Sequence, residues 1–362
     1  MRVAFLTSTP ASPIEGSGTF VATAGLVAGL RALGVDVSVR ELGARTGFHT
    51  FDRWRYNAVV ALAPPDADVV IGVDLDGFLW ARRRSRPRAT ARADRRPRFI
   101  VSLKGVIADE LTHERGWVRQ LLAVQARWER ANARRADVIV APSRYAANTA
   151  SRLYGLDAGT VAVRPEPIDV AGWHARLAAA PRRAPGSPTV LAVARMYPRK
   201  HLDDLLEATR LLAPRIPDLA VRIIGGGPEA VALRAQHARL GVGDRVRFLG
   251  EVGAAELAIE YANADLFCLP SVQEAFGIVF VEAMAAGIPI VACRAAAVPE
   301  VVEDGRTGVL VSPRRPDLLA DAIEGLVHNP ELRKALGAGG RQRADTYDVP
   351  RVARAWLEVI RG

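Results

Sequence analysis

The sequence predicts an α/β protein made of two doubly wound domains, each a mostly parallel sheet with helices on both faces. Short apolar runs of strand length alternate with helix-forming stretches through nearly all of the 362 residues. The alternation is interrupted once, by a stretch rich in proline and arginine at 181–188. Each half is long enough to bury its own core, so we expect two domains that face each other across a cleft.

Twelve runs are predicted as strands, six in each half. Those of the first half are VAFLT (3–7), VDVSVR (35–40), DVVIGVD (68–74), FIVSL (99–103), ADVIVAPS (136–143) and TVAVRP (160–165). Those of the second half are TVLAVA (189–194), LAVRIIG (219–225), RVRFLG (245–250), ADLFCLP (264–270), IPIVAC (288–293) and GVLV (308–311). The predicted organisation is a first domain at 1–170, a linker at 171–188, a second domain at 189–345 and a last helix at 346–362, which could pack back on the first domain.

Composition narrows the class of protein. Hydrophobic residues make up 49% of the chain, and no apolar run reaches membrane-spanning length. Met1 opens directly onto a predicted core strand, and the two cysteines, Cys268 and Cys293, lie in apolar runs typical of buried thiols. We therefore expect a cytoplasmic protein.

The net charge of +10 is concentrated in Arg82–Arg98, which holds nine arginines and one aspartate. A solvated loop explains this stretch, and a patch for anionic lipid or nucleic acid is the alternative. We favour the solvated loop and expect no nucleic-acid partner, because no aromatic residues are interleaved to stack on bases. Peripheral contact of this stretch with the inner face of a membrane, or a non-enzymatic polyanion-binding role, stays open.

The most informative stretch is PSVQEAFGIVFVEAM (270–284), which follows a predicted strand and runs into a helix. It places Glu274 in the loop, Gly277 at the helix entrance and Glu282 in the helix. Free backbone N–H groups at such a helix start suit a phosphate or a sugar hydroxyl, and a carboxylate in the first turns can reach a ribose. The alternative, of about equal weight from spacing alone, is an ordinary strand–helix unit with two solvated glutamates.

A second candidate loop follows the strand TVLAVA. It contains Arg195 and Lys200 at the entrance of a helix, and two cations beside a helix N-terminus predict a diphosphate site. Lysine is rare in this arginine-rich chain, which contains only Lys104, Lys200 and Lys334. A lysine at position 200 therefore indicates a need for a compact ammonium there. The alternative is a basic loop on a basic protein.

Two glycine-rich turns give weaker signals. GGGP (225–228) follows the strand LAVRIIG, and Gly16 and Gly18 follow the first strand. The turn that contains Gly16 and Gly18 lacks the third glycine of a dinucleotide fingerprint, because Val21 stands there. No acidic residue ends the second strand. These differences argue against a nicotinamide-dependent oxidoreductase.

Polar residues in the first half form a candidate acceptor site, because ligands of open parallel sheets bind beyond the carboxyl ends of the strands. These residues are Asp74, Asp76, Lys104, Asp109 and His113. We do not expect a metal at the two aspartates, since they lie apart from the predicted diphosphate cations. Simple capping of a helix start explains Asp109 equally well.

Taken together, these motifs resemble the retaining glycosyltransferases of family 4, which have the GT-B fold of two Rossmann-like domains. The resemblance covers essentially the whole chain and depends above all on the Glu-x7-Glu pattern of Glu274 and Glu282. It implies that the first domain binds the acceptor and the second binds a nucleotide sugar. It also implies that Arg195 and Lys200 neutralise the departing diphosphate, and that Glu282 holds the ribose.

The resemblance implies a donor site, with Glu274, Arg195 and Lys200 as the catalytic residues. The implied donor-binding residues are Gly16, Gly18, Arg195, Lys200, Gly226, Phe248, Leu249, Glu274, Phe276, Gly277, Ile278 and Glu282. We expect transfer of a sugar from a UDP-sugar, or next a GDP-sugar, to a hydroxyl group, with no cofactor and no metal. We also expect front-face attack, in which the leaving phosphate takes the acceptor's proton.

Some alternatives remain at this stage. A sugar-nucleotide epimerase on the same fold would bind the same donor and need no acceptor. We expect a small-molecule or glycoconjugate acceptor. The acidic residues around Asp74 suit an amine-bearing small molecule, whereas the arginine stretch suits a lipid phosphate at a membrane surface, and we rank the small soluble acceptor slightly ahead. The chain departs from the family at Lys104 or Asp74, where many relatives have a histidine, and at Glu166 and Pro167, where Asn-Gly is usual.

Overall fold

A computed structural model describes residues 1–9, 18–43, 45–84, 96–184 and 186–362. The chain divides into two compact units. The first unit comprises residues 1–167 and 349–362, and the second comprises residues 168–348. Each unit is built on one six-stranded sheet in which every described pairing is parallel.

The first sheet has the strand order β2-β1-β3-β4-β5-β6. Its strands are β1 (Arg2–Thr7), β2 (Asp36–Glu41), β3 (Val69–Val73), β4 (Arg98–Ser102), β5 (Val138–Ala141) and β6 (Val161–Val163). The helices of this unit are α1 (Gly18–Ala32), α2 (His49–Leu62), α3 (Phe78–Arg84), α4 (Ile107–Glu110), α5 (Gly116–Ala133), α6 (Arg144–Tyr154) and, from the end of the chain, α15 (Val349–Arg361).

The second sheet has the strand order β12-β11-β10-β7-β8-β9. Its strands are β7 (Thr189–Val193), β8 (Ala220–Ile224), β9 (Val246–Gly250), β10 (Leu266–Leu269), β11 (Ile290–Cys293) and β12 (Gly308–Val311). Its helices are α7 (Val170–Ala179), α8 (Leu202–Leu212), α9 (Ala230–Leu240), α10 (Ala254–Ala262), α11 (Ile278–Ala286), α12 (Val298–Val301), α13 (Pro316–Val327) and α14 (Pro330–Ala344).

The predicted fold class is therefore confirmed, with a strand at each of the twelve predicted positions. Central strands are apolar along their whole length because helices cover both faces of a parallel sheet. β10 and β11 show this most clearly, since every residue in them is buried.

The predicted linker at 171–188 is wrong in its first half. Residues 170–179 form α7, which buries Val170, Trp173 and Leu177 in the core of the second unit. The sequence reading missed this helix because the prolines and arginines that follow it dominate the local composition.

The last helix, α15, belongs to the first unit and packs on α1. It buries Val352, Ala353 and Trp356 in the core that also holds Leu26 and Leu30 of α1. The two helices approach closely at Gly29, where an added Cβ would lie 2.7 Å from the Cβ of Ala353. Only glycine fits at that contact without a shift of α15.

Candidate active site

The candidate site of the second unit lies where the direction of strand order reverses. β7 and β10 are neighbours in the sheet, and the chain runs from them toward opposite edges. The loops that follow these two strands meet, because Val272 N–H donates a hydrogen bond to the Arg199 carbonyl at 3.0 Å. Ligands of doubly wound sheets bind at this position. The topology thus brings the two candidate loops of the sequence together.

A lysine–glutamate ion pair joins the two loops. Lys200 Nζ lies 2.5 Å from Glu274 Oε1, and the two side chains are only 13% and 9% exposed. Both are placed by backbone contacts near strand ends: Lys200 ends a short 3-10 turn, and the Glu274 carbonyl accepts from Ala297 N–H at 3.2 Å. A largely buried pair of this kind holds the ammonium of Lys200 in a fixed position where the two loops meet.

Arg195, the second predicted cation, is half-exposed and pairs with Glu251. Glu251 directly follows β9, and sequence reasoning assigned it no role. An incoming anion must compete with this carboxylate for the guanidinium. The pairing is exposed enough that solvent screens it strongly, so exchange of one anionic partner for another is inexpensive.

The GGGP turn fits closely against the loop that carries Arg195. An added Cβ at Gly225 would lie 2.0 Å from the Ala194 carbonyl oxygen, and one at Gly227 would lie 2.7 Å from Met196 N. Both glycines have left-handed backbone angles, with φ of 120° and 150°. Gly226, between them, accepts a hydrogen bond from Met196 N–H at 2.8 Å. The glycines are therefore needed to shape this loop.

Glu282 is buried in α11 and has two partners far away in the chain. Its Oε2 accepts from the Tyr261 hydroxyl at 3.0 Å, and its backbone carbonyl accepts from the Trp173 indole N–H at 3.0 Å. Burial raises the pKa of Glu282 to about 7, against the lowering effect of the Tyr261 hydrogen bond and of Arg176. Neither Tyr261 nor Trp173 was found from the sequence.

The start of α11 is open to an anion. Gly277 caps the helix with φ of 85°, and the first turn contains no acidic residue. Phe276 is buried, and its ring packs edge-on against Tyr347 at 5.4 Å. Backbone N–H groups at this end, including that of Ile278, have no partner within the helix, which is the arrangement that binds phosphate or sugar hydroxyls.

The start of α8 differs from what the sequence suggested. Its first turn carries Asp203 and Asp204, and Arg314 Nη1 contacts both at 2.8 Å and His201 Nδ1 at 2.6 Å. The three acceptors have the spacing of metal ligands, the one such group found among the described residues, but a guanidinium lies among them. This helix end is therefore occupied by the protein's own charges, and α11 is the better anion site.

In the first unit, Asp74 and Lys104 follow adjacent strands and are in contact. Lys104 N–H donates to Asp74 Oδ1 at 2.7 Å, and Lys104 Nζ forms an ion pair with Glu166 at 2.7 Å. Burial raises the pKa of Asp74 to about 6, with Arg53 opposing the shift. Among the described residues, Asp74 is also one of four other than glycine with positive φ, at 53°. Backbone strain at a strand end is typical of functional positions.

The other predicted acceptor carboxylate, Asp76, is fully buried and already bonded. It accepts from the backbone N–H of Ser8 at 2.5 Å, from the Ser8 hydroxyl at 2.8 Å and from Asn57 Nδ2 at 3.1 Å. Asn132 Nδ2 donates to the carbonyls of both aspartates. Asp76 therefore holds the loop of Asp74 in place, and no oxygen of it is directed to solvent.

The remaining acceptor candidates are Asp109 and His113, which follow β4 along the chain. Asp109 accepts from the Tyr145 hydroxyl at 2.8 Å, and His113 ends a half-buried 3-10 turn. Sequence reasoning missed Glu129, a buried carboxylate that accepts from Tyr154 and from Ile107 N–H. Burial, and next the nearby Asp74, raise the pKa of Glu129 well above its ordinary value.

Several predicted residues lie at the edges of these sites or outside the described residues. Gly18 begins α1, whereas Gly16 and residues 85–95 of the arginine stretch lie outside the described residues. Phe248 and Leu249 are half-buried on β9, and the guanidinium of Arg234 lies 4.8 Å from the Phe248 ring centroid. Among the described residues, no helix is long and apolar enough to cross a bilayer.

Comparison with known proteins supports the resemblance. Residues 176–343 match the family described as glycosyl transferases group 1. A GDP-mannose-dependent alpha-(1-6)-phosphatidylinositol monomannoside mannosyltransferase of Mycolicibacterium smegmatis is 33% identical over 255 residues, 66% of this chain and 65% of that protein. A D-inositol 3-phosphate glycosyltransferase of Saccharomonospora viridis is 34% identical over 239 residues, 62% of this chain and 56% of that protein. The matches thus span less than two thirds of these relatives' length.

Solved structures show the same fold. Sucrose-phosphate synthase from Thermosynechococcus elongatus superposes with a TM-score of 0.81 at 20% identity, over 99% of this chain and 98% of that one. HepE from Anabaena, solved with UDP and glucose, gives a TM-score of 0.73 at 20% identity, over 100% and 99% of the two chains. The architecture is the GT-B fold.

Proposed function

We propose that this chain, which belongs to the group 1 glycosyl transferases, moves a hexose from a nucleoside diphosphate sugar to an acceptor hydroxyl with retention of anomeric configuration. The observation that carries the proposal is the meeting of the β7 and β10 loops. There the Lys200–Glu274 pair joins the two loops just before the start of α11, and Arg195 lies in the same loop as Lys200. Cations and a helix N-terminus at one point suit a diphosphate leaving group.

Each charged group has a role in this proposal. Lys200 and Arg195 neutralise the diphosphate, and Arg195 exchanges Glu251 for a phosphate oxygen. The Glu282 carboxylate, held by Tyr261, accepts hydrogen bonds from the ribose hydroxyls. Glu274 and the backbone at Gly277 bind hydroxyls of the donor sugar. Fixed protein cations then perform the charge stabilisation, and we propose that no metal or other cofactor is needed.

The proposed chemical step is a front-face displacement. The bond between the anomeric carbon and the β-phosphate oxygen breaks, and its electron pair stays on the phosphate. The acceptor oxygen bonds to the same face of the anomeric carbon and gives its proton to the departing phosphate. A carboxylate nucleophile would be the alternative, but Glu274 is held by Lys200 at 2.5 Å, which favours a sugar-binding role.

Two features guide the choice of substrates. The mycobacterial relative is named for GDP-mannose, so we rank a GDP-hexose ahead of a UDP-hexose, the reverse of the order favoured from the sequence alone. Arg53 and Lys104 flank the acceptor-side Asp74, and relatives are named for phosphatidylinositol and inositol phosphate acceptors. We propose a polyol or glycoconjugate acceptor whose hydroxyl is bound near Asp74.

The test is release of nucleoside diphosphate from GDP-mannose, UDP-glucose and UDP-N-acetylglucosamine, with and without inositol-containing acceptors. We expect acceptor-dependent release from one donor, unchanged by chelator and lost in Glu282→Ala. Lys334→Met is the control, because Lys334 lies on the surface and pairs with its helix neighbour Glu331. Release without acceptor, accompanied by epimerised donor, would contradict the transferase proposal.

A further inference from the structure

A polar depression lies at the amino-terminal edge of the second sheet, between the starts of β7, β8 and β9 and the segment that precedes β7. Its volume is about 810 Å³, within the range of pockets that take small-molecule ligands. β7 spans five residues, so the depression lies roughly 16 Å from the carboxyl edge of the sheet, where the loops of Lys200 and Glu274 meet. It is therefore separate from the candidate active site.

The charge of this depression is predominantly positive. Five arginines and three aspartates line it, which gives a net charge of +2. The second unit as a whole contains 21 lysines and arginines against 22 aspartates and glutamates, so positive charge is concentrated here. The arginines are Arg182, Arg183, Arg222, Arg245 and Arg247, and the aspartates are Asp218, Asp244 and Asp265.

Two of the arginines are neighbours across the sheet. Arg222 of β8 and Arg247 of β9 are paired in the parallel register, so their side chains leave the same face of the sheet. Like charges at facing positions of two strands repel each other. An anion between the two guanidinium groups would remove this repulsion.

One buried carboxylate neutralises only part of this charge. Both oxygens of Glu260 accept hydrogen bonds from Arg222, and Arg183 Nη2 also donates to Glu260 Oε1 at 2.5 Å. The Glu260 side chain is only 3% exposed. Burial alone would raise the pKa of Glu260, but the hydrogen bonds from Arg222 and Arg183 lower it, so this carboxylate is ionised at neutral pH. Two guanidinium groups therefore share a single negative charge.

Other arginines of the depression keep donors for a ligand. Arg247 is exposed and has no hydrogen bond or ion pair with any residue that the structure describes. Arg245 donates from Nε to the Pro217 carbonyl at 3.2 Å, and its two terminal nitrogens are not bonded to a described residue. Asp218 and Asp244 are exposed, and within the described part of the chain neither pairs with an arginine. Donors and acceptors that line one depression without pairing suit the two ends of a larger polar molecule.

We propose that this depression binds a small phosphorylated polyol. The phosphate lies between Arg222 and Arg247, whose planar guanidinium groups suit two-point contacts with phosphate oxygens, and Arg245 adds further donors. Asp218 and Asp244 accept hydrogen bonds from the hydroxyl groups. A nucleotide fits less well, because none of the described lining residues is aromatic, as stacking on a base requires. Binding here does not depend on the donor site.

The test is calorimetric titration of the full chain with sorbitol 6-phosphate, inorganic phosphate and sorbitol. We expect sorbitol 6-phosphate to bind the wild type, and to bind the double variant Arg245→Gln/Arg247→Gln at least about tenfold more weakly, because charge-assisted hydrogen bonds to the phosphate are lost. The control Arg239→Gln/Arg315→Gln removes the same charge from exposed positions outside the depression and should bind like the wild type. Circular dichroism verifies that the variants fold.

Two further variants assign the contacts. Asp218→Ala/Asp244→Ala should bind sorbitol 6-phosphate more weakly than the wild type, because acceptors for its hydroxyl groups are lost. The same variant should bind inorganic phosphate at least as tightly as the wild type, because two negative charges are removed. Lys200→Met should bind sorbitol 6-phosphate like the wild type, since Lys200 does not line the depression.

Four results would overturn the proposal. The first is a wild type that does not bind sorbitol 6-phosphate, and the second is equal binding by Arg245→Gln/Arg247→Gln. The third is a loss of binding in Lys200→Met that leaves Arg245→Gln/Arg247→Gln unaffected, which would assign the phosphate to the donor site. The fourth is inorganic phosphate that binds as tightly as sorbitol 6-phosphate, which would show that the hydroxyl groups make no contact.

Discussion

Each unit places a lysine–glutamate ion pair at the carboxyl edge of its sheet, but the two pairs have different surroundings. In the first unit, Lys104 and Glu166 are 5% and 10% exposed, and Lys104 N–H also fixes Asp74. In the second unit, Lys200 and Glu274 are similarly buried, but they lie beside the open start of α11 and the loop of Arg195. The first pair holds the loop of Asp74 in shape, and in the proposed function the second pair contacts the donor.

The difference extends to the surfaces. The first unit is strongly basic and exposes apolar side chains, whereas the second is nearly neutral and covers them. In the proposed function, the second unit binds the charged donor and the first unit binds the acceptor. Three substitutions can break or sharpen this contrast.

The largest stability effect is expected at the first pair. Lys104→Met leaves the Glu166 carboxylate buried without its partner, which should lower the free energy of unfolding by about 3–5 kcal/mol. Urea unfolding of the variant measures this loss. The double variant Lys104→Met/Glu166→Met should recover most of it, and nucleotide affinity should stay unchanged. A double variant as unstable as the single one would show that the pair does not act as a structural unit.

A smaller effect is expected at the entrance of α11. Gly277→Ala places a Cβ 2.6 Å from the Phe280 ring at φ of 85°, which should cost about 2–4 kcal/mol of stability and distort the donor site. Gly325→Ala is the matched control in the same unit. Nothing lies within 4 Å of its Cβ and it is in a helix, so it should raise stability by up to about 1 kcal/mol. Thermal unfolding of both variants is the measurement, and equal effects would contradict the proposed close packing at Gly277.

The third effect depends on pH. The pKa of Glu282 rises from 4.5 to about 7 in the folded chain, so the protonated form is favoured there. The stabilisation is complete below pH 4.5, the pKa of Glu282 in the unfolded chain, and is lost as the pH rises through about 7. Relative to Glu282→Gln, the wild type should lose about 3 kcal/mol of stability between about pH 4 and pH 8. Denaturant titrations across this range that show a constant difference would contradict the assigned pKa.

The sequence predicted the fold and the two loops in which Lys200 and Glu274 lie. Alternation of strands and helices determines a doubly wound sheet, and its order brings the loops of Lys200 and Glu274 together although 74 positions separate them. Partners outside the motifs could not be predicted. Trp173 contacts Glu282 across 109 positions, and Glu166 reaches Lys104 across 62, through packing that no local pattern encodes.

The exposed side of α2 is another feature that the sequence did not predict. The sequence HTFDRWRYNAVVAL has apolar residues all around the helix, and periodicity alone does not tell which of them the core buries. Arginine content instead drew attention to 82–98. The packing of α2 on α3 reveals that Phe51, Trp54 and Leu62 remain outside.

The most direct test of the central claim, that the second unit binds a nucleoside diphosphate at Lys200 and Glu282, is calorimetric titration of GDP and UDP into the wild type, Lys200→Met and Lys334→Met. We expect one of the two nucleotides to bind the wild type and Lys334→Met equally, with chelator present, and to bind Lys200→Met at least about a hundredfold more weakly. Equal binding to Lys200→Met and to the wild type, or binding that requires a divalent cation, would contradict a diphosphate site built from the protein's own cations.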